Sequence, residues 1–259
     1  MHMLVKIRNR ISLPVGHALI GRRKDDQYLA SYPRSGSTWL RTMLVNIIVR
    51  DANSNPDVFN AVIPGVSITQ VPRLRALPSP RIIHTHTYYR PEIKRVVYTL
   101  RDGRDVLVSF YHYLVTRRGV RMSFAEWFKR YMSREYGHRW EENIRSWLVD
   151  ARENLGDDML IVHFEEMKAR PVQTLEAICG HLGIEAGHDR IESSIDLASL
   201  ENARKIEKER ASGNVKGDGL FYRGGKTGQW KEYFDSEINK IFWEVNGECM
   251  RLSGYADET

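Results

Sequence analysis

The chain has 259 residues, 42% hydrophobic and 28% charged, which fits one α/β-sized core and excludes a collagenous or wholly disordered chain. Two cysteines, Cys179 and Cys249, without CxxC or Cys/His ligand spacing, argue against a disulfide scaffold or a zinc site and fit a reducing compartment. The net charge of +6 is carried by Lys6, Arg8, Arg10, Arg22, Arg23 and Lys24, since residues 1–24 contain no acid and the later charges cancel.

This leader interleaves its bases with Leu4, Val5, Ile7, Ile11, Leu13 and Ile20. Such a pattern can lie on an anionic membrane or a polyanion, but Pro14 and Gly16 interrupt any sustained helical stripe, so a solvated basic arm over 1–24 is the preferred reading. Residues 25–259 then form a single domain. No stretch approaches the ~20 apolar positions of a membrane span, and the bases among the first apolar residues disfavour a secretory leader. A cytoplasmic protein is expected, with contact to a membrane limited to the arm.

In chain order, residues 28–32 read as a buried strand, 33–37 as a turn and 38–49 as a helix. Strands follow at 81–85 and 95–100, then a helix from about 105 to 115. Residues 123–154 carry helical spacing through Phe124, Trp127, Phe128, Tyr131, Trp140, Ile144, Trp147 and Leu148. A further buried strand is expected at 159–164, with helices at 171–182 and 236–252. Residues 205–229, rich in Lys, Arg and Gly, read as a long surface segment of the kind that forms lids. Strands alternating with helices predict an α/β fold, a P-loop-like three-layer sandwich around a mostly parallel sheet, with its chemistry in the strand-to-helix loops.

Three such stretches carry chemistry. In Tyr32-Pro33-Arg34-Ser35-Gly36-Ser37-Thr38-Trp39, small residues sit where a strand turns into a helix, leaving backbone N–H groups for an anion; Arg34 adds a planar donor fork. The plain alternative is a capped helix, with Ser35 or Ser37 at the cap and Trp39 as a core anchor. Walker spacing is missing, as is an evident metal-binding carboxylate, so magnesium-dependent NTP chemistry is disfavoured and no metal is expected. The second stretch, Leu100-Arg101-Asp102-Gly103-Arg104-Asp105 through Ser109, is another basic strand-to-helix turn, and two such turns imply a ligand phosphorylated at two places. Here Arg104 and Asp105 read as a helix-starting pair. The third, Phe221-Tyr222-Arg223-Gly224-Gly225-Lys226-Thr227-Gly228-Gln229-Trp230-Lys231, lets backbone approach a ligand if the chain returns to the same pocket.

Taken together, these motifs resemble the cytosolic sulfotransferases, which use 3′-phosphoadenosine 5′-phosphosulfate (PAPS) and release adenosine 3′,5′-bisphosphate. YPRSGSTW is similar to that family's YPKSGTTW loop, RDGRDVLVSFYHY to its 3′-phosphate segment and FYRGGKTGQWKEYF to its RKGxxGDWKxxF element. The resemblance implies that Arg34 takes the place of the loop lysine, that Ser35, Gly36, Ser37 and Thr38 cradle the 5′-phosphate, and that Trp39 stacks on adenine. It implies 3′-phosphate binding by Arg101, Ser109, Arg223, Gly224 and Gly225, and a general base at His86. The chain departs from the pattern where Arg34 and His84 stand for lysines, Phe164 for a tyrosine and Gly224 for a lysine. At spacing two, His84 shares a strand face with His86.

The implied function is in-line transfer of a sulfuryl group from PAPS to a hydroxyl or amine. A small-molecule, carbohydrate or lipid-linked acceptor fits, and no nucleic-acid partner is expected; the oligomeric state is not readable. A P-loop nucleotide kinase or NTPase, and a non-enzymatic polyanion-binding module, are the competing readings.

Overall fold

The computed structural model describes residues 21–50, 52, 56–65, 71–135, 139–211 and 224–256. Four strands form one parallel sheet. Strand β1 (Gln27–Ser31) is followed by helices α1 (Ser37–Ile48), α2 (Pro56–Val62) and α3 (Val71–Ala76), then by β2 (Ile82–Thr85), β3 (Arg95–Leu100) and α4 (Gly103–Arg118). Helix α5 (Phe124–Met132) precedes α6 (Trp140–Arg145), which continues through one π-helical stretch (Ser146–Ala151) and a last turn (Arg152–Leu155). Strand β4 (Met159–His163) runs directly into α7 (Phe164–Ala169), followed by α8 (Pro171–Leu182), α9 (His188–Leu197), α10 (Leu200–Ala211) and α11 (Ser236–Leu252).

The order across the sheet is β2-β1-β3-β4, with every pairing parallel. A parallel sheet needs cover on both faces, and successive side chains of one strand divide between the two. Tyr28, Ala30, Val96 and Tyr98 join one apolar cluster with Val106, Phe110, Trp127, Trp147 and Phe242; Leu29 and Val97 join the other with Leu40, Met43, Leu44, Leu175 and Ile178. The strands' carboxyl ends therefore all open on one rim. At the opposite, amino-terminal edge, Asp26 and Arg81 form a buried two-pronged ion pair at 2.6 Å, and the same guanidinium donates to the carbonyls of Leu74 and Gly21.

Several expectations are corrected. Residues 205–211 belong to helix α10, where Glu201, Lys205 and Glu209 recur at i,i+4 with alternating charge, a spacing that supports an exposed helix. The helical run 123–154 is broken between Met132 and Trp140, where Arg134 takes φ 63°, a left-handed conformation that no α-helix continues through. Helix α4 starts at Gly103, two residues earlier than expected, because Asp102 is its cap and accepts the Arg104 N–H at 2.8 Å. Arg22 and Arg23, counted with the arm, dock on the body: Arg22 donates to the Glu92 carbonyl, and Arg23 to the carbonyls of Arg75 and Leu77. Residues 1–20 of the arm lie outside the described residues.

Candidate active site

The loop after β1 holds two residues with positive φ, Arg34 at 74° and Gly36 at 92°. Gly36 is the cap of α1, so neither Ser35 nor Ser37 caps it, and the cap makes no side-chain hydrogen bond. The opening N–H groups of α1 thus face the rim with the positive end of the helix behind them. Only glycine fits at position 36: besides its φ, a Cβ would stand 2.4 Å from Phe164 Cδ2. Ser35 and Ser37 are buried, while Thr38 and Trp39 are half-buried; the Trp39 ring meets Phe164 edge-on at 6.0 Å.

The second basic turn lies against the first. Arg34 Nε donates to Ser109 Oγ at 3.2 Å, and the Arg34 guanidinium lies 5.3 Å from the Tyr113 ring centre. Arg101 is 7% exposed; its Nη1 donates to the Arg34 carbonyl at 3.1 Å and its Nη2 to the Lys226 carbonyl at 2.9 Å. Its guanidinium covers Phe164 at 4.5 Å, and its buried Nε has no hydrogen-bond partner. Burial lowers the pKa of Arg101, and the carboxylates of Asp105, Glu165 and Asp102 act against that shift.

The glycine-rich stretch returns to the same place. Asp105 accepts the N–H groups of Gly228 at 2.8 Å and Trp230 at 2.9 Å, Lys168 Nζ donates to the Gly225 carbonyl at 2.8 Å, and the Arg104 guanidinium stacks 3.7 Å from the Trp230 ring centre. Gly225 is thereby held near Phe164, and its neighbour Lys226 against Arg101. Arg223 lies outside the described residues. Sequence reasoning missed the tethering by Arg104, Asp105 and Lys168: Arg104 does pair with the capping Asp102 at the helix start, as well as stacking on Trp230, whereas the Asp105 carboxylate turns to the 228–230 stretch.

His86 follows β2. Its Nδ1 lies 2.8 Å from the Ser31 carbonyl oxygen, which can only accept, so Nδ1 carries the proton and Nε2 the lone pair. Burial, reinforced by Arg41 and Arg34 and opposed by the Ser31 hydrogen bond, brings its pKa down to about 4. The His84 ring meets His86 edge-on at 4.5 Å, and His84 Nε2 is buried without a hydrogen-bond partner. The rim therefore joins two basic loops, a glycine-rich segment and the adjacent rings of His84 and His86, both lowered in pKa by burial.

A parallel α/β sheet with its loops gathered at the carboxyl rim is the arrangement in which open α/β folds bind their ligands. The family model of the sulfotransferase domain matches residues 24–254, and the chain belongs to that family. It is a PAPS-dependent sulfotransferase by class. A flavonol sulfotransferase-like protein of Flaveria bidentis is 27% identical over 259 residues, covering 88% of this chain and 82% of the relative. Sulfotransferase 1B1 of Mus musculus is 25% identical, covering 87% and 82%. Among solved structures, mouse sulfotransferase SULT7A1 complexed with PAP superposes with a TM-score of 0.71 at 24% identity, covering 93% of this chain and 95% of that one, which shows the shared fold.

Proposed function

We propose that the protein transfers the sulfuryl group of PAPS in line to a hydroxyl or amine of a small-molecule acceptor, with His86 as the base. PAPS supplies an activated sulfuryl group whose release leaves charge on a 5′-phosphate. The protein's task is then alignment and charge stabilisation, as in phosphoryl transfer. The uncapped start of α1, residues Ser35–Thr38 and Arg34 suit the 5′-phosphate end. Arg101 through its unpartnered Nε, Ser109, and the backbone at Gly224 and Gly225 suit the 3′-phosphate, with Arg223 assigned there by the motif alone. Trp39 offers a face for adenine. Arg34 keeps the charge of the family's lysine but cannot act as a proton donor at ordinary pH.

The observation that carries the reading is the Arg34–Ser109 hydrogen bond, which makes two anion-binding turns from separate strands neighbours within one site. Beside them His86 presents an unprotonated Nε2, the form needed to take the acceptor's proton. Relatives named for flavonols support a small hydroxylated acceptor, and relatives named cytosolic sulfotransferases, such as one of Arabidopsis thaliana, support a cytoplasmic location. No helix among the described residues is long and apolar enough to cross a membrane. Residues 25–259 act as one domain in this reading, preceded by the basic arm. The test is label transfer from radiolabelled PAPS to a panel of hydroxylated and amine acceptors. Transfer to one class, with adenosine 3′,5′-bisphosphate released in equal amount, is expected; donor binding with no transfer to any member would overturn the reading.

A further inference from the structure

Where β4 turns into α7, residues 163–165 reach both anion-binding loops. Phe164 fills the space beside Gly36 and lies under the Arg101 guanidinium. Its neighbour Glu165 has two tasks: Oε1 accepts the backbone N–H of Asp102 at 3.3 Å, and Oε2 accepts the hydroxyl of Tyr255 at 2.8 Å. Asp102 follows Arg101 directly and caps α4, so whatever fixes the Asp102 amide fixes the turn that aims Arg101. Tyr255 comes from beyond the end of α11. Its own N–H donates to the Met250 carbonyl at 2.9 Å, after a left-handed turn at Gly254 with φ 80°, and this sets the ring's approach. The hydroxyl also lies 3.3 Å from His163 Nδ1. Burial, with the adjacent Glu165 carboxylate, raises the pKa of Tyr255, which keeps it a hydrogen-bond donor.

We propose that Tyr255 and Glu165 are positioning residues for the 3′-phosphate end of the nucleotide: their hydrogen bond holds the Asp102 amide and through it the Arg101 turn. The inference rests on the reading that Arg101 and Ser109 receive that phosphate. Tyr255 acts through Glu165, and neither residue takes part in the chemical step.

The experiment titrates adenosine 3′,5′-bisphosphate and adenosine 5′-phosphate into the wild type, Y255F, E165Q and the double variant. Y255F should raise the Kd of the bisphosphate about three- to tenfold, the scale of one lost hydrogen bond to a charged group acting indirectly. The Kd of the monophosphate should stay within about twofold, because the loop at Arg34 is untouched. In the E165Q background Y255F should add less than about twofold, since the partner is already altered. Equal weakening of both nucleotides, no change in either, or full additivity would overturn the proposal. Should Y255F not fold, E165Q is judged on the ratio of the two affinities, and an unchanged ratio overturns it. A wild type that binds no bisphosphate refutes the donor reading itself, whereas normal wild-type binding with unaltered variants refutes only the positioning role.

Discussion

His86, the base of the proposed transfer, illustrates how one backbone contact can set a tautomer. The Ser31 carbonyl fixes the proton on Nδ1, and burial keeps the ring neutral far below the ordinary histidine range. Replacing it by alanine should reduce turnover by at least about a hundredfold while leaving the Kd of adenosine 3′,5′-bisphosphate within about threefold, as expected for loss of a general base; calorimetry beside a label-transfer assay separates the two. Because the folded value is about 4, activity should show no histidine limb between about pH 5.5 and 8. The linked stability effect has a definite sign: the unfolded chain takes up the proton first, so the stabilisation is complete above the ordinary 6.5 and is lost as pH falls towards about 4. Thermal unfolding across that window checks it, and a melting temperature that rises on acidification would contradict it. At this scale sequence motifs singled out Arg34, His86 and Arg101, which the fold brings to one rim. The sequence was silent on Tyr255 and Glu165, 90 positions apart, because only the fold brings them into contact.

Among the elements, caps and turns carried the legible information. Helices α8 and α11 have the expected bounds because Pro171 opens the first, Gly183 closes it in a left-handed conformation, and Asp235 caps the second through the Ile238 N–H. The strand–turn–helix at 27–48 was legible in outline, yet its cap was not: only the fold shows Phe164 pressing against Gly36. Gly36→Ala should therefore abolish measurable nucleotide binding and lower stability by about 2 kcal/mol or more, the scale of strain from a positive-φ alanine with a steric clash, measured by urea unfolding. The short helices α2, α3 and α7 escaped notice since few of their residues repeat at helical spacing, and α9 escaped it although Ile191, Ile195 and Ala198 recur at that spacing. Helix α10 was mistaken for a loop because its charged composition outweighed the i,i+4 pairing in the reading. Asp105 is the joint between elements: it binds two N–H groups of the 228–230 stretch. Asp105→Ala should lower the melting temperature and weaken bisphosphate binding about tenfold or more, since one buried and one part-buried donor lose their acceptor. A variant with native affinity would show that the glycine-rich stretch needs no such tether.

For the whole molecule, the sheet separates structural from chemical duties. Its amino-terminal edge is closed by the Asp26–Arg81 pair, which is buried, hydrogen-bonded throughout and remote in the fold from the strands' carboxyl ends. Removing one partner with Asp26→Ala should cost about 3–5 kcal/mol of stability, because the guanidinium would stay buried without its counterion; denaturant unfolding measures it. Fold class was readable from alternation, and the loops of the candidate site from basic turns after strands, while the strand order and the packing that joins those turns were not. In the proposed function, Arg34 and Arg101 with Ser109 hold the two ends of one doubly phosphorylated adenosine. Calorimetric titration without added magnesium, comparing adenosine 3′,5′-bisphosphate with the 5′- and 3′-monophosphates, tests it most directly. The bisphosphate is predicted to bind at least about a hundredfold more tightly than either monophosphate, on the scale of one charge-assisted contact set; equal affinities for the bisphosphate and one monophosphate would contradict it.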